Sequence, residues 1–259
     1  MLLAIDIGNS NVVWGLFQDR TLIGPWRIST DVAQPAAAYG DRFLAQLKTS
    51  GIEPGLVTDV ALCSVVPSLT PVFEQMTAAC FHRTPLAVSS AMDTGLTLLY
   101  TDPGEIGADR LANAAAAYDR YKTALIVVDL GTATTFCAIT QRGEFLGGAI
   151  APGLGIAAEA LFSRTAQLPR VDFARPKTVI GRDTKSSIQA GLIIGYAGLV
   201  DTLVSRIEDE LGQKAFVVAT GGLASLVAPE SRTIQEVRPN LTLEGLAFLH
   251  RRTLGRDKV

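Results

Sequence analysis

The sequence predicts an α/β protein made of two related domains, and three observations lead to this prediction. The first is a repeat: residues 2–17 and 125–139 each carry four apolar residues, then Asp-x-Gly, then small polar residues and a second apolar run. The second is a further apolar segment after each repeat, near residues 22–28 and 145–150. The third is that the remainder of each half alternates helical patterns with short strand patterns. Three antiparallel strands followed by alternating helices and strands, present twice, indicate a duplicated α/β fold.

Each repeat predicts a β-hairpin, because a buried apolar strand reaches a tight turn containing Gly and then returns. In the first half we also expect three helices, at residues 36–49, 69–81 and 106–121, and one strand, at residues 60–65. In the second half we expect three further helices, at residues 156–165, 184–211 and 243–251, and one strand, at residues 216–219. The halves are expected to meet near residue 117, which gives domains 1–117 and 118–259 with a ligand-binding cleft between them.

Composition excludes several classes of protein. The chain has 259 residues, 48% of them hydrophobic, which is ample for a folded core. With 23 Lys and Arg against 25 Asp and Glu, the chain lacks the basic excess of a dedicated nucleic-acid binder. The most apolar run, residues 190–200, falls short of the roughly 20 residues that cross a bilayer, so it predicts a buried helix. We therefore expect neither a nucleic-acid nor a membrane partner.

The cysteines and the N-terminus concern the location of the protein. Cys63, Cys80 and Cys137 have no zinc-like spacing, and three is an odd number for a disulfide framework. The first residues lack the basic start of a signal peptide. A reducing cytoplasm is the simplest interpretation.

The two Asp-x-Gly turns carry the residue types that bind a nucleotide triphosphate. In Asp6-Ile7-Gly8-Asn9-Ser10-Asn11, Gly lets an anion approach the backbone amides, and the polar side chains add donors. A carboxylate at the end of a strand can hold Mg²⁺, which prefers one or two carboxylates together with phosphate oxygens. The second turn, Asp129-Leu-Gly131-Thr132-Ala-Thr134-Thr135, offers hydroxyls in place of amides. Asp and Gly also favour plain hairpin turns, but repetition at matching positions favours a binding role.

A third carboxylate, Asp109, is expected in the first turn of the alanine-rich helix. Phosphoryl transfer needs mainly a positioned acceptor hydroxyl and neutralised charge, so a carboxylate there could act as the base. The adjacent Arg110 offers a bidentate fork for a carboxylate or a phosphate. The alternative interpretation is a helix-start carboxylate beside a surface cation. His82 and His250 are expected at the surface or at helix ends, and Cys63 in the core.

Taken together, these motifs resemble the type III pantothenate kinase family of the acetate kinase/sugar kinase/Hsp70/actin superfamily. The resemblance covers nearly the whole chain, in order and in spacing. It depends on the two Asp-x-Gly turns and on segments 26–30, Tyr100, 107–110, 147–153, 168–170, 180–184, 219–222 and 241–245. Three positions depart from the family pattern: Ser10 stands where Thr is usual, Asp183 where Asn is frequent, and Cys137 where Asp is usual.

The resemblance implies a fold and an activity. The fold would be α/β, with duplicated ribonuclease H-like (actin-like ATPase) domains, mixed sheets with helices on both faces, and a cleft between the domains. The activity would be ATP-dependent phosphorylation of pantothenate to 4′-phosphopantothenate, the first step of coenzyme A biosynthesis, with an alcohol as the acceptor group. The family is homodimeric. The alternative is a non-catalytic transcriptional accessory factor of the same family.

The resemblance also implies a role for individual residues. Those expected to contact ATP are Asp6, Ile7, Gly8, Asn9, Ser10, Asn11, Val12, Val13 and Thr132. Asp6 would serve Mg²⁺, and Asp129 would hold a monovalent cation, K⁺ or NH₄⁺. Asp109 would accept the proton of the pantothenate hydroxyl. The residues expected to bind pantothenate are Tyr100, Gly107, Ala108, Asp109, Arg110 and Thr184.

Overall fold

A computed structural model describes residues 1–255, and the chain divides into two compact units. Unit 1 contains Met1–Gly95, Asp102–Ala116 and the C-terminal segment that begins at Leu241. Unit 2 contains Leu96–Thr101 and Ala117–Asn240. Compared with a single boundary near residue 117, the C-terminal helix therefore belongs with the first unit, and a short segment around Tyr100 belongs with the second.

Unit 1 is built on a five-stranded mixed sheet. Its strands are β1 (Leu2–Ile7), β2 (Asn11–Gln18), β3 (Thr21–Ser29), β4 (Asp59–Ser64) and β5 (Leu86–Ala87). Their order is β3-β2-β1-β4-β5, with β1 antiparallel to β2 and parallel to β4. The parallel neighbour explains the apolar run of residues 2–5 at the start of β1, because a central strand covered on both faces has no polar side.

Unit 2 repeats this topology. Its strands are β6 (Thr97–Leu98), β7 (Leu125–Leu130), β8 (Ala133–Ile139), β9 (Glu144–Pro152), β10 (Phe216–Thr220) and β11 (Glu236–Val237). Their order is β11-β10-β7-β8-β9-β6, so β7 takes the place of β1 and β10 that of β4. The two hairpins have similar registers, since Asp6 pairs with Val13 and Asp129 with Thr135, but the second turn is one residue shorter. The duplicated fold expected from the sequence is confirmed.

Seven α-helices accompany the sheets within residues 1–255. They are α1 (Ala36–Thr49), α2 (Thr70–Phe81), α3 (Ala108–Tyr121), α4 (Leu154–Ser163), α5 (Thr184–Leu211), α6 (Ala224–Val227) and α7 (Leu241–Thr253). Each predicted helix begins and ends within two residues of the observed helix. His82 closes α2 in the left-handed conformation, as expected of a residue at a helix end. His250 differs from expectation: it is only 7% exposed, and its Nε2 lies 3.4 Å from Oδ1 of Asp59.

Each unit has its own apolar core. In unit 1, the rings of Trp14 and Phe43 stack with their centroids 4.1 Å apart, and Tyr39 and Phe73 pack beside them. In unit 2, one face of α5 packs on the sheet through residues at helical spacing, namely Ile193, Ala197, Val200 and Val204.

Helix α5 is longer than the apolar run that the sequence analysis singled out. It has 28 residues and is long and apolar enough to cross a membrane, and 39% of its most apolar window is buried. The core helix of a globular protein can pass the same test, and one such helix is weak evidence for a span. The buried residues of α5 include Ala190, Ile193, Ala197 and Val200 of the predicted apolar run, whereas other residues of the helix are exposed.

Helices α3 and α7 pack unusually closely in unit 1. A Cβ built on Gly245 of α7 would lie 2.1 Å from the carbonyl oxygen of Ala112 in α3. Only Gly allows the two backbones to approach this closely. Because α3 carries Asp109 in its first turn, this contact helps to set the position of that carboxylate.

Replacing Gly245 with Ala should therefore displace α7 or α3. We expect the free energy of unfolding, measured by urea denaturation, to fall by about 1–3 kcal/mol, the usual range for overpacking. Gly155→Ala in α4 is the control, because nothing lies within 4 Å of a Cβ there and Ala favours helix. A Gly245→Ala protein as stable as the wild type would contradict the close packing.

Candidate functional site

The Asp6–Val13 turn of unit 1 presents backbone rather than side chains at several of its positions. Ile7 and Val12 are 0% exposed and belong to the core, so only their backbone groups could contact a ligand. Asn9 and Ser10 are exposed at the tip. The Gly8 amide donates to the Asn11 carbonyl at 3.0 Å, which closes the turn. The tip of this turn is therefore exposed and polar.

Asp6 is held at the carboxyl end of β1 by a neighbour that sequence reasoning assigned only to the core. The parallel register pairs Asp6 with Cys63 of β4. The Cys63 thiol donates a hydrogen bond to Oδ1 of Asp6, with 3.3 Å between the sulfur and the oxygen. Cys63 is 1% exposed. Burial, followed by the negative charges of Asp6 and Asp109, raises the pKa of this thiol well above its ordinary value. Cys63 is therefore a neutral donor, and both carboxylates lie near it.

Asp109 occupies the first turn of α3, as expected. Burial raises the pKa of its carboxyl group, while the Arg110 backbone amide, which donates to Oδ1 at 2.7 Å, and the Arg110 charge oppose that rise. A raised pKa suits a carboxylate that accepts a proton. Gly107 makes room for this group, because a Cβ at that position would lie 2.6 Å from Oδ1 of Asp109.

Arg110 is not the surface cation that the alternative interpretation assumed. Its side chain is only 7% exposed. A guanidinium group this buried is usually kept for pairing or for ligand recognition, because leaving a buried charge uncompensated is costly. Arg110 therefore places a buried positive charge at the start of α3, and this charge partly opposes the rise in the pKa of Asp109.

The Asp129 turn of unit 2 is surrounded by glycines from two other segments. Gly221 has φ +92°, and a Cβ there would lie 2.5 Å from Oδ1 of Asp129. A Cβ on Gly153, just before α4, would lie 2.0 Å from the Thr132 carbonyl oxygen. The Gly131 amide donates to the Ala133 carbonyl at 3.1 Å, so a glycine amide also closes this turn, across one residue fewer than in unit 1. Carboxylate and carbonyl oxygens are thus concentrated here, and Thr132 is exposed beside them.

Two other residues expected to bind pantothenate, Tyr100 and Thr184, lie in unit 2, whereas Gly107–Arg110 lie in unit 1. The Tyr100 ring covers Gly147, where a Cβ would lie 3.0 Å from the ring. Thr184 is exposed as the first residue of α5. Asp183, which departs from the family pattern, caps this helix by accepting from the Ser186 amide at 2.8 Å. Asp and Asn both cap helices well, so the change keeps the local structure. Cys137 is 2% exposed within β8.

Metal binding at either turn would need oxygens from a ligand or from the backbone. Within residues 1–255 there is no cluster of three or more His, Cys, Asp or Glu side chains that could hold a metal ion. Mg²⁺ fits Asp6 because one carboxylate with several phosphate oxygens is its common ligand set. A monovalent cation fits Asp129 because of the carbonyl oxygens that crowd the second turn.

Comparisons with known proteins agree with the motifs. A family model described as type III pantothenate kinase matches residues 2–206. Proteins named type III pantothenate kinase from Geobacter sp. (strain M21) and Anaeromyxobacter sp. (strain Fw109-5) are 48% and 50% identical, over 97% of this chain and 99% of each relative.

Solved structures show the same fold at much lower identity. A conserved putative Baf family transcriptional activator from Campylobacter jejuni has a TM-score of 0.62 at 17% identity, over 98% of this chain and 99% of that one. A putative 2-dehydro-3-deoxygalactonokinase from Sinorhizobium meliloti has a TM-score of 0.58 at 13% identity, over 97% and 96%. At these identities the likeness concerns the fold alone.

Because the folded-state pKa of Asp109 is raised, ionising this group opposes folding. Its contribution to stability is most favourable below the unfolded pKa and declines as pH rises through the folded pKa. Asp109→Asn, which resembles the neutral acid, should therefore raise the melting temperature at pH 7.5 and change it less near pH 4. Thermal unfolding at both pH values tests this. A variant that is destabilised more at pH 7.5 than at pH 4 would contradict the inferred pKa shift.

Proposed function

The chain belongs to the type III pantothenate kinase family, and from that premise we propose which of its residues bind the substrates and transfer the phosphoryl group. As a member it phosphorylates pantothenate with ATP, the first step of coenzyme A biosynthesis. The catalytic activity, rather than the accessory-factor alternative, is the one that its relatives support. The observation that supports the assignment of residues is the Cys63 thiol, which donates a hydrogen bond to Asp6 and whose pKa is raised by the charges of Asp6 and Asp109.

The Asp6–Val13 turn is proposed to bind the ATP phosphates. Its exposed tip offers backbone amides together with the side chains of Asn9, Ser10 and Asn11. Ile7, Val12 and Val13 would take part through their backbone, since the first two side chains are buried. Asp6 would hold Mg²⁺, which when bound neutralises charge on the triphosphate. Thr132, exposed on the second turn, is proposed to contact ATP as well.

Asp109 is proposed to be the catalytic base. As the hydroxyl oxygen of pantothenate bonds to the γ-phosphorus, the hydroxyl proton passes to the Asp109 carboxylate and the bond to ADP breaks. The buried Arg110 is suited to the pantothenate carboxylate, because a guanidinium group binds a carboxylate through two hydrogen bonds. Gly107 and Ala108 would line the same pocket in unit 1. Tyr100 and Thr184 are also proposed to contact pantothenate.

Asp129 is proposed to hold K⁺ or NH₄⁺. The support is chemical: a carboxylate adjoins a turn whose carbonyl oxygens are crowded by Gly153 and Gly221. Such a cation would supply positive charge near the second turn. Cys137, in place of the usual Asp, is buried in the strand that follows, so any support from an Asp at that position is missing in this chain.

The protein is proposed to be a homodimer that pairs through α5. Gly191, Gly195 and Gly198 are exposed on one helix face, opposite the buried face, and nothing lies within 4 Å of a Cβ at any of them. Small residues at this spacing let a second helix approach closely. Just before α5, Val179 and Ile180 are 67% and 80% exposed, an apolar surface that a partner subunit would cover.

A cytoplasmic location is proposed from the cysteines. Cys63, Cys80 and Cys137 are all free thiols, which suits a reducing compartment.

Asp109→Asn tests the base directly. The amide cannot accept the proton, so we expect kcat for pantothenate-dependent ADP formation to fall by about 10²–10⁴-fold. The affinity for Mg·ATP, measured by calorimetry, should stay within about twofold of the wild-type value, because Asp109 is not among the residues proposed to bind ATP. Asp119→Asn on the exposed end of α3 is the matched control and should keep full activity. Near-normal turnover by Asp109→Asn would defeat the assignment.

Gly195→Leu tests the dimer. The added side chain meets open space within unit 2, so the subunit should fold while the close approach of a second helix is blocked. Sedimentation equilibrium should give a dimer for the wild type and a monomer for the variant. Gly55→Leu places the same side chain at an exposed glycine of unit 1 with nothing nearby and should remain dimeric. A dimeric Gly195→Leu protein would rule out α5 as the interface.

A further inference from the structure

Thr30, the residue after β3, holds two carbonyls of the Asp6–Val13 turn. Its side-chain hydroxyl donates to the carbonyl oxygen of Gly8 at 2.7 Å. Its backbone amide donates to the carbonyl oxygen of Ser10 at 3.1 Å. Thr30, which lies outside the turn, therefore bonds the carbonyls of Gly8 and Ser10, the residues before and after Asn9.

These bonds decide which way the turn amides point. In a trans peptide the C=O and N–H groups point in opposite directions. The Gly8 carbonyl shares a peptide group with the Asn9 amide, and the Ser10 carbonyl shares one with the Asn11 amide. Holding both carbonyls on the Thr30 side therefore turns both N–H groups to the opposite side. Two N–H groups aimed the same way are the arrangement that binds an anion.

Thr30 itself is fixed through the core of unit 1. The Tyr39 hydroxyl donates to the carbonyl of Asp31 at 2.9 Å and accepts from the Asp31 amide at 3.1 Å. Tyr39 is 0% exposed among the core aromatic residues. The residue next to Thr30 is thus tied to the most rigid part of the unit, so Thr30 can impose its geometry on the more exposed turn.

We propose that Thr30 is a positioning residue for ATP, which holds the Gly8 and Ser10 carbonyls so that the Asn9 and Asn11 amides are preset for the nucleotide phosphates. This inference rests on the proposed function, because it takes the Asp6–Val13 turn as the phosphate site. Thr30 makes no contact with substrate in this scheme. It acts through the turn and serves ATP rather than pantothenate.

The test compares Thr30→Val with Thr30→Ser. Val keeps the branched shape but removes the hydroxyl, while the backbone bond to Ser10 remains. We expect Thr30→Val to raise KM for ATP about five- to tenfold, the effect of losing one hydrogen bond, with KM for pantothenate unchanged. Thr30→Ser restores the donor and should return KM for ATP to within about twofold of wild type. Thr49→Val, which removes a similar hydroxyl-to-carbonyl bond in α1, is the matched control and should change neither KM.

The outcomes separate this inference from the proposed function. Equal KM for ATP in Thr30→Val and wild type, or an equal rise in KM for both substrates, would overturn the role of Thr30. Gly8→Ala is measured alongside, because its Cβ would lie 3.0 Å from the Asn11 carbonyl oxygen and distort the turn. If Gly8→Ala raises KM for ATP but Thr30→Val does not, only the Thr30 inference fails. If neither variant alters KM for ATP, the turn is not the phosphate site and the proposed assignment fails as well.

Discussion

The structure of unit 1 depends on keeping two carboxylates near one buried thiol. Asp6 accepts a hydrogen bond from Cys63 because β1 and β4 are parallel neighbours in register, and the charge of Asp109 helps to raise the pKa of the same thiol. Burial disfavours the charged form of a carboxyl group, as the raised pKa of Asp109 shows, so these carboxylates need polar support from the surrounding fold. That support comes from the Cys63 thiol, the Arg110 charge and amide, and the backbone contact at Gly245. Catalysis by a preset site is consistent with such a scaffold.

Duplication explains why the chain has two Asp-x-Gly turns, which differ in their exposure and in their polar groups. Both follow a central strand with the same burial pattern, and both are closed by a bond from a glycine amide, to Asn11 in the first turn and to Ala133 in the shorter second turn. The first turn keeps an exposed tip with amide side chains, whereas the second is packed against Gly153 and Gly221. The repeated hairpin therefore ends in an exposed polar tip in unit 1 and in a more enclosed group of oxygens in unit 2.

Local patterns predicted the hairpins, the main helices and the placement of Asp109 in a first helical turn. They could not predict contacts between segments far apart in the chain. Cys63 was assigned to the core by its apolar strand, and only the register with β1 places it beside Asp6. Thr30 lies in a motif without an evident role until its bonds to the turn are seen. His250 and α7 depend on packing within unit 1, which the local sequence does not encode.

The most direct test of the central claim is a double-mutant cycle in kcat/KM for ATP-dependent phosphorylation of pantothenate. The cycle compares wild type, Asp6→Asn, Asp109→Asn and the double variant by a radiolabelled phosphate-transfer assay. If both carboxylates serve one transition state, the double variant should lose about as much activity as the worse single variant, because residues that act as a unit are strongly non-additive. Losses that multiply fully would show that the two carboxylates act independently and would contradict this account.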